Sequence, residues 1–357
     1  MNFKTTKRVK IHTGYKCNLR CRFCYYGEDL RGEDCTTEKL KSFLKLASER
    51  GIKDVDFSGG EPTIRKDFVE LVSYAKKLRF RNICVITNGF MMADKEYTEK
   101  LVDAGLNEVL FSVHGNSKKL NDYLTKVPSS FERLMEAIKN IKSLDVRFRT
   151  NTTVTKQNYK SLADFARLFL RLKPAAVNFI LFNPFYSTSE QETEMTPKFS
   201  ECSPYIKKAV DILNPKIGKV TARCIPFCFM QGYEKHVCNS FQVKYDSDEW
   251  LPHIQARVEE VNPLKYHAYG LLDSVLSKIF SDDSKIFSLL DDAIVWSFVN
   301  SYYTKPDECE GCKFYSICDG VKKGYVRTFG TKEIKHVPGE EIKNPAHFRR
   351  NYGSYGE

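Results

Sequence analysis

Short β-branched or apolar runs alternate with amphipathic stretches over residues 8–190. This alternation is typical of repeated strand–helix units on a parallel sheet. The six predicted strands cover residues 8–13, 54–58, 82–87, 108–113, 146–154 and 177–182. The predicted helices cover residues 37–50, 66–78, 95–104, 130–142 and 158–172. Right-handed crossovers would curl six such units into a barrel or an open part of one, so the predicted fold class is α/β, a partial (β/α)6 TIM-like barrel.

After about residue 200 the pattern changes to a cysteine-bearing stretch, a helical region and a second cysteine stretch. We therefore predict two domains, a barrel over residues 1–200 and a cysteine-rich domain with a helical insert and a tail over residues 201–357. The helical stretch over residues 250–303 covers the barrel or mediates association, and periodicity does not distinguish the two.

The loops that follow the predicted strands carry the residues with distinctive chemistry. In βα barrels reactive groups lie on the loops after the C-terminal ends of the strands, because the opposite face serves stability. Cys17–Cys24 follow the first predicted strand and Gly59–Pro62 the second. Asn88–Gly89 follow the third, His114–Gly115 the fourth and Asn183–Pro184 the sixth.

The first of these loops has the spacing CxxxCxxC, formed by Cys17, Cys21 and Cys24, with the aromatic Phe23 just before the last cysteine. Three thiolates on one short loop can hold three corners of an iron–sulfur cube and leave one iron open for a cofactor or substrate. A zinc knuckle would require four ligands, and His12 lies too early, on the predicted strand. The spacing therefore favours a four-iron four-sulfur cluster.

With these cysteines and the run Phe57-Ser-Gly-Gly-Glu-Pro62 after the second strand, the first half of the chain resembles the radical S-adenosylmethionine (SAM) superfamily. The resemblance implies that SAM binds the open iron and that its amino group meets the glycine-rich run. It also implies that the fourth- and fifth-strand segments contact SAM, although His114 stands where the family usually has Asp. The SAM-binding residues implied are Gly59, Gly60, Glu61, Pro62, Ser112 and Asn151, and His114 is a turn residue or a substrate contact.

A second cysteine set, Cys309, Cys312 and Cys318, has the spacing CxxCxxxxxC. It resembles the SPASM/twitch extensions that carry auxiliary iron–sulfur clusters, but Lys322 stands where the full motif has a further cysteine. We therefore expect one auxiliary cluster, [4Fe–4S] by type, completed by one or more of three upstream cysteines. These are Cys224, Cys228 and Cys238, with Cys238 the first choice because it follows Gly232 at nearly the family spacing. A structural zinc ribbon is the alternative.

Composition and charge indicate the cellular compartment and the classes of partner. The 357 residues contain no run of eighteen uncharged apolar residues and no signal-peptide core, which predicts a cytoplasmic protein without membrane contact. In a reducing cytosol the twelve cysteines stay free for metals or catalysis. The net charge of +11 is spread widely, which favours a lysine-rich surface over nucleic-acid binding without excluding the latter.

The resemblance implies an enzyme that cleaves SAM to a 5′-deoxyadenosyl radical, abstracts a substrate hydrogen and takes electrons from a donor such as flavodoxin or ferredoxin. A ribosomally made peptide is the first-ranked substrate. About seven residues precede the first strand, too few for a leader-peptide domain, so a small molecule, a nucleotide or tRNA stays open. The competing class is a non-catalytic iron–sulfur or zinc-binding protein.

Overall fold

The computed structural model describes residues 6–24, 34–182, 190–250 and 283–349. Its centre is a sheet of seven parallel strands that curls into a partial barrel, and each strand pairs with the next along the chain. The strands are β1 (Arg8–His12), β2 (Asp54–Ser58), β3 (Asn82–Thr87), β4 (Glu108–Ser112), β5 (Arg147–Val154), β6 (Val177–Leu181) and β7 (Val220–Arg223).

Helices cover the outer face of the sheet. They are α1 (Thr37–Glu49), α2 (Phe68–Lys77), α3 (Lys95–Ala104), α4 (Lys118–Thr125), α5 (Ser130–Ser143), α6 (Leu162–Leu172), α7 (Glu190–Met195) and α8 (Phe199–Leu213). Several begin at a side-chain cap: Thr36 accepts from the backbone N–H of Lys39, and Asp94 accepts from that of Tyr97. Each cap satisfies one backbone donor that the first helical turn leaves open.

The predicted α/β partial barrel is confirmed, and all six predicted strands are present within one residue at each end. The structure adds a seventh strand, β7, which pairs with β6 in parallel register. Its four residues are too short a run to stand out in the sequence. The division into domains at residue 200 stays a prediction, but β7 extends the first sheet beyond that point.

The two faces of the strands differ in chemistry. Alternate residues such as Val9 and Val55 are fully buried against the helices. The opposite face carries charges into the barrel interior, where Arg8 and Arg149 both pair with Asp56 and both pair with Glu108. Because the four residues lie on four different strands and are all buried, these ion pairs join the sheet across the barrel.

Residues 246–250, which we call the floor segment, close the barrel at the N-terminal ends of the strands. Asp248 accepts from Lys219 at 2.9 Å and from Arg147 at 3.2 Å, on either side of β6. Trp250 donates its indole N–H to Asp56 at 3.0 Å. The floor segment therefore completes the charge balance of an interior that the strands alone leave rich in cations.

The rest of the described chain packs beside the barrel. It contains α9 (Asp283–Tyr302), α10 (Lys323–Phe329) and a two-stranded antiparallel ribbon of β8 (Tyr303–Thr304) and β9 (Val321–Lys322). Tyr325 of α10 stacks on Phe199 of α8 with ring centroids 4.1 Å apart, which fixes this part to the barrel. Within the residues that the structure covers, no helix is both long and apolar enough to cross a membrane. The predicted helical stretch is confirmed over α9, whereas residues 251–282 lie outside the described residues.

Candidate cofactor and metal sites

The first cysteine loop follows β1 and is held to the barrel by its backbone. The N–H groups of Arg20 and Arg22 donate to the carbonyls of Thr125 and Leu124 at 3.0 and 2.8 Å. These carbonyls belong to the last turn of α4, which has no helical donors for them. The thiol-bearing residues Cys17, Cys21 and Cys24 are all partly exposed on this loop. The fold therefore presents three potential ligands on one loop after β1, at the C-terminal ends of the strands.

Gly59 and Gly60 pack against the backbone that leads into the cysteine loop. A Cβ atom on Gly60 would lie 2.1 Å from the carbonyl oxygen of Lys16, and one on Gly59, whose φ is +128°, would lie 2.4 Å from that of Gly14. The N–H of Gly60 donates to Gly14 at 2.8 Å. Glycine is thus required here because two loop backbones meet, a reason additional to the SAM contact that the sequence suggests.

Glu61 is held in place by hydrogen bonds from three neighbouring residues. Its buried carboxylate accepts from the N–H and hydroxyl of Thr63 at 3.2 and 2.6 Å, from the hydroxyl of Thr87 at 2.7 Å and from the N–H of Asn88 at 2.7 Å. Burial raises the pKa of Glu61, while these four bonds favour its charged form. Both oxygens are thus engaged by the protein, and the contact of Glu61 with SAM that the family resemblance implies stays a prediction. Glu61 ties the β2 loop to the β3 loop.

Ser112 and Asn151 lie side by side at the ends of β4 and β5, where they are register partners. The backbone carbonyl of Asn151 accepts from Val113 at 2.9 Å, but its side-chain Oδ1 is buried and receives no hydrogen bond from the residues that the structure describes. A buried acceptor without a donor is costly. This orphaned acceptor fits a bound group that carries hydrogen-bond donors, such as the ribose or ammonium of SAM.

His114 is buried behind the cysteine loop, with only 7% of its surface exposed. Its Nδ1 accepts from the N–H of Thr153 at 3.2 Å, and its ring packs edge-on against Phe23 at a centroid distance of 4.5 Å. Burial lowers the pKa of His114 to about 3, so the ring is neutral with its proton on Nε2. The sequence left His114 as a turn residue or a substrate contact. This geometry favours a structural role beside the cysteine loop over a substrate contact.

Thr87 and Asn88 make more contacts within this site than the sequence indicated. Thr87 and Asn88 both donate to Glu61, and the side chain of Asn88 also reaches the cysteine loop. In the sequence both residues belong to a Thr-Asn-Gly run, and such a run predicts a simple turn equally well. Asn183, Pro184 and Tyr26, a possible cavity residue, lie outside the described residues.

The second cysteine set converges on one small cavity. Its lining includes four thiols, together with the aromatic rings of Phe227 and Phe314. The four cysteines are Cys228, Cys309, Cys312 and Cys318. Burial raises the pKa of Cys228 to about 11 and that of Cys318 to about 12, and each thiol lies close enough to others of the set to raise it further. Four thiols around one cavity match a four-thiolate metal site.

Cys238, the first choice from the sequence, does not line this cavity, so the structure favours Cys228 as the fourth ligand. It is fully buried beside β7, its N–H donates to Ala222 at 3.0 Å, and its thiol donates to Asp246 at 3.8 Å. Cys224 lies apart from the cavity as well, near Tyr303. Val237 forms a parallel bridge with Ala222 of β7, so Cys238 lies against the barrel wall, a position that its spacing from Gly232 does not reveal.

Another set of ligand-type atoms, on Asp56, Cys84 and Glu108, lies within 4.8 Å inside the barrel. Both carboxylates are already paired with Arg8 and Arg149. Guanidinium groups thus fill the place that a cation would take, and this set belongs to the ion-pair network of the fold.

Residues 11–169 match the family model described as the Radical SAM superfamily. These residues form a radical SAM domain. The cysteine loop, the glycine-rich run and the ends of β4 and β5 all lie within its limits, so the matched region contains every part of the first site.

Two relatives are named "Probable GTP 3′,8-cyclase". That of Saccharolobus islandicus (strain M.14.25 / Kamchatka #1) is 32% identical over 180 residues, 49% of this chain and 57% of the relative. That of Methanocaldococcus jannaschii is 29% identical over 256 residues, 69% of this chain and 79% of the relative. The chain thus spans little more than half the length of the first relative.

A solved structure, Streptococcus suis SuiB bound to precursor peptide SuiA, is similar with a TM-score of 0.61. It is 18% identical and the match covers 93% of this chain and 74% of that one. At this identity the likeness concerns the fold, and it extends over both the radical SAM domain and the part that follows it.

Proposed function

We propose that this chain is a radical SAM enzyme that reductively cleaves SAM and abstracts a hydrogen atom from its substrate. One observation carries the proposal: Phe23 of the cysteine loop packs on His114, which is bonded to Thr153 of β5. This chain of contacts fixes the three cysteines next to the strand ends where Ser112 and the orphaned Asn151 acceptor lie. We propose SAM as the ligand that joins these two groups of residues.

The residues have separate roles in this proposal. Cys17, Cys21 and Cys24 hold three irons of a [4Fe–4S] cluster, while Ser112 and Asn151 orient SAM. When bound, the cluster supplies the open iron and the electron that convert SAM to methionine and a 5′-deoxyadenosyl radical. Glu61 keeps the β2 and β3 loops in register, and the barrel aligns the substrate bond and excludes water. A one-electron donor such as flavodoxin or ferredoxin would supply the reducing equivalent.

The test is anaerobic reconstitution followed by measurement of 5′-deoxyadenosine under a strong reductant. We expect formation by the wild-type protein and loss in Cys21→Ala. The matched control is Cys35→Ser, a partly exposed cysteine close to the loop in sequence whose backbone carbonyl, not its thiol, accepts from Arg65 at 2.9 Å. Cleavage that persists in Cys21→Ala would overturn the assignment, as would zinc without sulfide at that loop.

For the substrate, we propose a ribosomally made peptide, supported by the peptide complex of the similar SuiB fold. A nucleotide is the second candidate, supported by the names of the two cyclase relatives. Incubation of the reconstituted enzyme with GTP, SAM and reductant, followed by mass spectrometry, separates the two. A new chromatographic peak, separate from GTP but with its mass, that forms only with active enzyme would favour the nucleotide and contradict the peptide.

We further propose that Cys228, Cys309, Cys312 and Cys318 bind one auxiliary [4Fe–4S] cluster, within a cysteine-rich extension that follows the barrel. Four protein thiolates would leave no iron open, so electron transfer or structural support is the expected role and direct substrate binding is not. The cavity and the mutual proximity of its thiols support this ligand set. A zinc site on the same four thiolates is the alternative, and metal analysis distinguishes them.

A further inference from the structure

Asn88, at the end of β3, joins three loops of the first site. Its backbone N–H donates to Glu61 on the β2 loop at 2.7 Å. Its side-chain Nδ2 donates to Asn18 Oδ1 at 2.8 Å and lies 3.9 Å from the sulfur of Cys17, both on the cysteine loop. Asn88 is therefore the β3 residue whose side chain reaches a proposed cluster ligand.

The orientation of this amide is fixed by the backbone. The other end of the side chain, Oδ1, accepts from the N–H of Phe90 at 2.9 Å. A backbone N–H can only donate, so the oxygen must face Phe90 and the NH2 group must face Cys17 and Asn18. The side chain is held at both ends, and its N–H dipole points at the sulfur.

We propose that Asn88 is a positioning residue that raises the reduction potential of the cluster by donating an N–H···S hydrogen bond to Cys17. The inference rests on the proposed function, since it requires the cluster at this loop. Reduction adds negative charge to the cluster and its sulfur ligands, and a hydrogen bond to sulfur stabilises that form. The N–H of Leu19, 3.4 Å from the same sulfur, adds a second donor from within the loop.

The experiment is a redox titration followed by electron paramagnetic resonance on the full-length reconstituted protein. The signal of the SAM-binding cluster is identified by its change when SAM is added, which separates it from any auxiliary cluster. Asn88→Asp is the main variant: it can accept from the side chain of Asn18 and so keep that link, but it has no N–H for Cys17. Asn88→Ser is the second variant, and Asn82→Ser is the matched control, because Asn82 lies at the opposite end of β3 and bonds Asp54.

We expect both Asn88 variants to retain iron and sulfide and to titrate at a more negative potential. At the wild-type midpoint, the ratio of reduced to oxidised cluster should fall at least threefold, equal to about 28 mV for one electron. Asn82→Ser should titrate like the wild type. An unchanged midpoint in Asn88→Asp with full cluster content overturns this inference alone, whereas a wild-type protein with no cluster on Cys17, Cys21 and Cys24 overturns the proposed function itself. Because the carboxylate of Asn88→Asp lowers the midpoint by its charge as well, the neutral Asn88→Ser must shift in the same direction for the inference to stand, and an unchanged midpoint in either variant overturns it.

Discussion

His114 and Thr153 are joined by a hydrogen bond of 3.2 Å from the backbone N–H of Thr153 to the imidazole Nδ1. This bond requires an unprotonated nitrogen, and burial lowers the pKa of His114 to about 3. The unfolded chain has no such restriction, so its histidine takes up a proton near the usual value of about 6.5. Between these two values the unfolded state binds more protons, and stability is lost as the pH falls.

We therefore expect His114 to reduce the free energy of unfolding by about 2 kcal/mol between pH 7 and pH 5. His114→Asn removes the titration and keeps an acceptor for Thr153, so the variant should lose less stability over this range. Urea unfolding of both proteins at pH 7, 6 and 5 measures the difference. A difference between them that stays constant with pH would contradict the neutral, buried imidazole.

Replacement of Glu61 by Gln should destabilise the site. The amide would turn an NH2 group toward one of the donors that now meet a carboxylate oxygen, leaving a buried donor unsatisfied at a cost of about 1–3 kcal/mol. Urea unfolding measures this loss. Glu70→Gln is the control, since Glu70 is exposed and pairs with Lys41 at the surface. Equal stability of the two variants would show that the four bonds to Glu61 contribute little.

The two cysteine variants Cys228→Ser and Cys238→Ser should differ in metal content. Loss of Cys228 removes one of four thiols around the cavity, so the reconstituted protein should lose on the order of four irons and four sulfides per chain. Cys238→Ser should retain them, because that thiol faces Asp246. Iron, sulfide and zinc analysis gives the result, and the reverse pattern would restore Cys238 as the ligand.

Asp56→Asn should strongly destabilise the barrel. The substitution removes the charge shared by Arg8 and Arg149, both buried, and a buried pair broken on one side typically costs about 3–5 kcal/mol. Asp164→Asn, which disrupts an exposed pair with Arg167, is the control and should unfold like the wild type. The midpoint of urea unfolding measures the stability of both variants. A small effect of Asp56→Asn would mean that water or other carboxylates compensate for the lost charge.

The parallel barrel and its first site could be predicted from sequence because their signals are local. A strand and the loop after it are contiguous, so Cys17–Cys24 and Gly59–Pro62 could be assigned to the ends of β1 and β2 from order alone. The parallel arrangement then brings these loops to the same edge. The contacts of Asn88 could be predicted only in part, because its Thr-Asn-Gly run also describes an ordinary turn.

The remaining features depend on contacts between distant parts of the chain. The choice of Cys228 over Cys238 is set by the path of the chain around β7, which cysteine spacing does not encode. The contact of Glu61 with SAM stays a prediction, whereas its bonds from Thr87 and Asn88, some 26 residues later, could not be predicted from the sequence. Likewise nothing near Asp248 in the sequence indicates that it belongs beneath β5.

The floor segment has a consequence for biosynthesis. The guanidinium of Arg149 donates to the backbone of Asp248, 99 residues later in the chain. At ribosomal rates of about 5–20 residues per second, roughly 5–20 s separate the two residues as they leave the ribosome. During that interval Asp56 and Glu108 can already pair with Arg8 and Arg149, but the carboxylate of Asp248 that pairs with Arg147 and Lys219 is absent, so burial of these two cations is unfavourable. Completion of this domain is thereby delayed until the polypeptide beyond it has been translated.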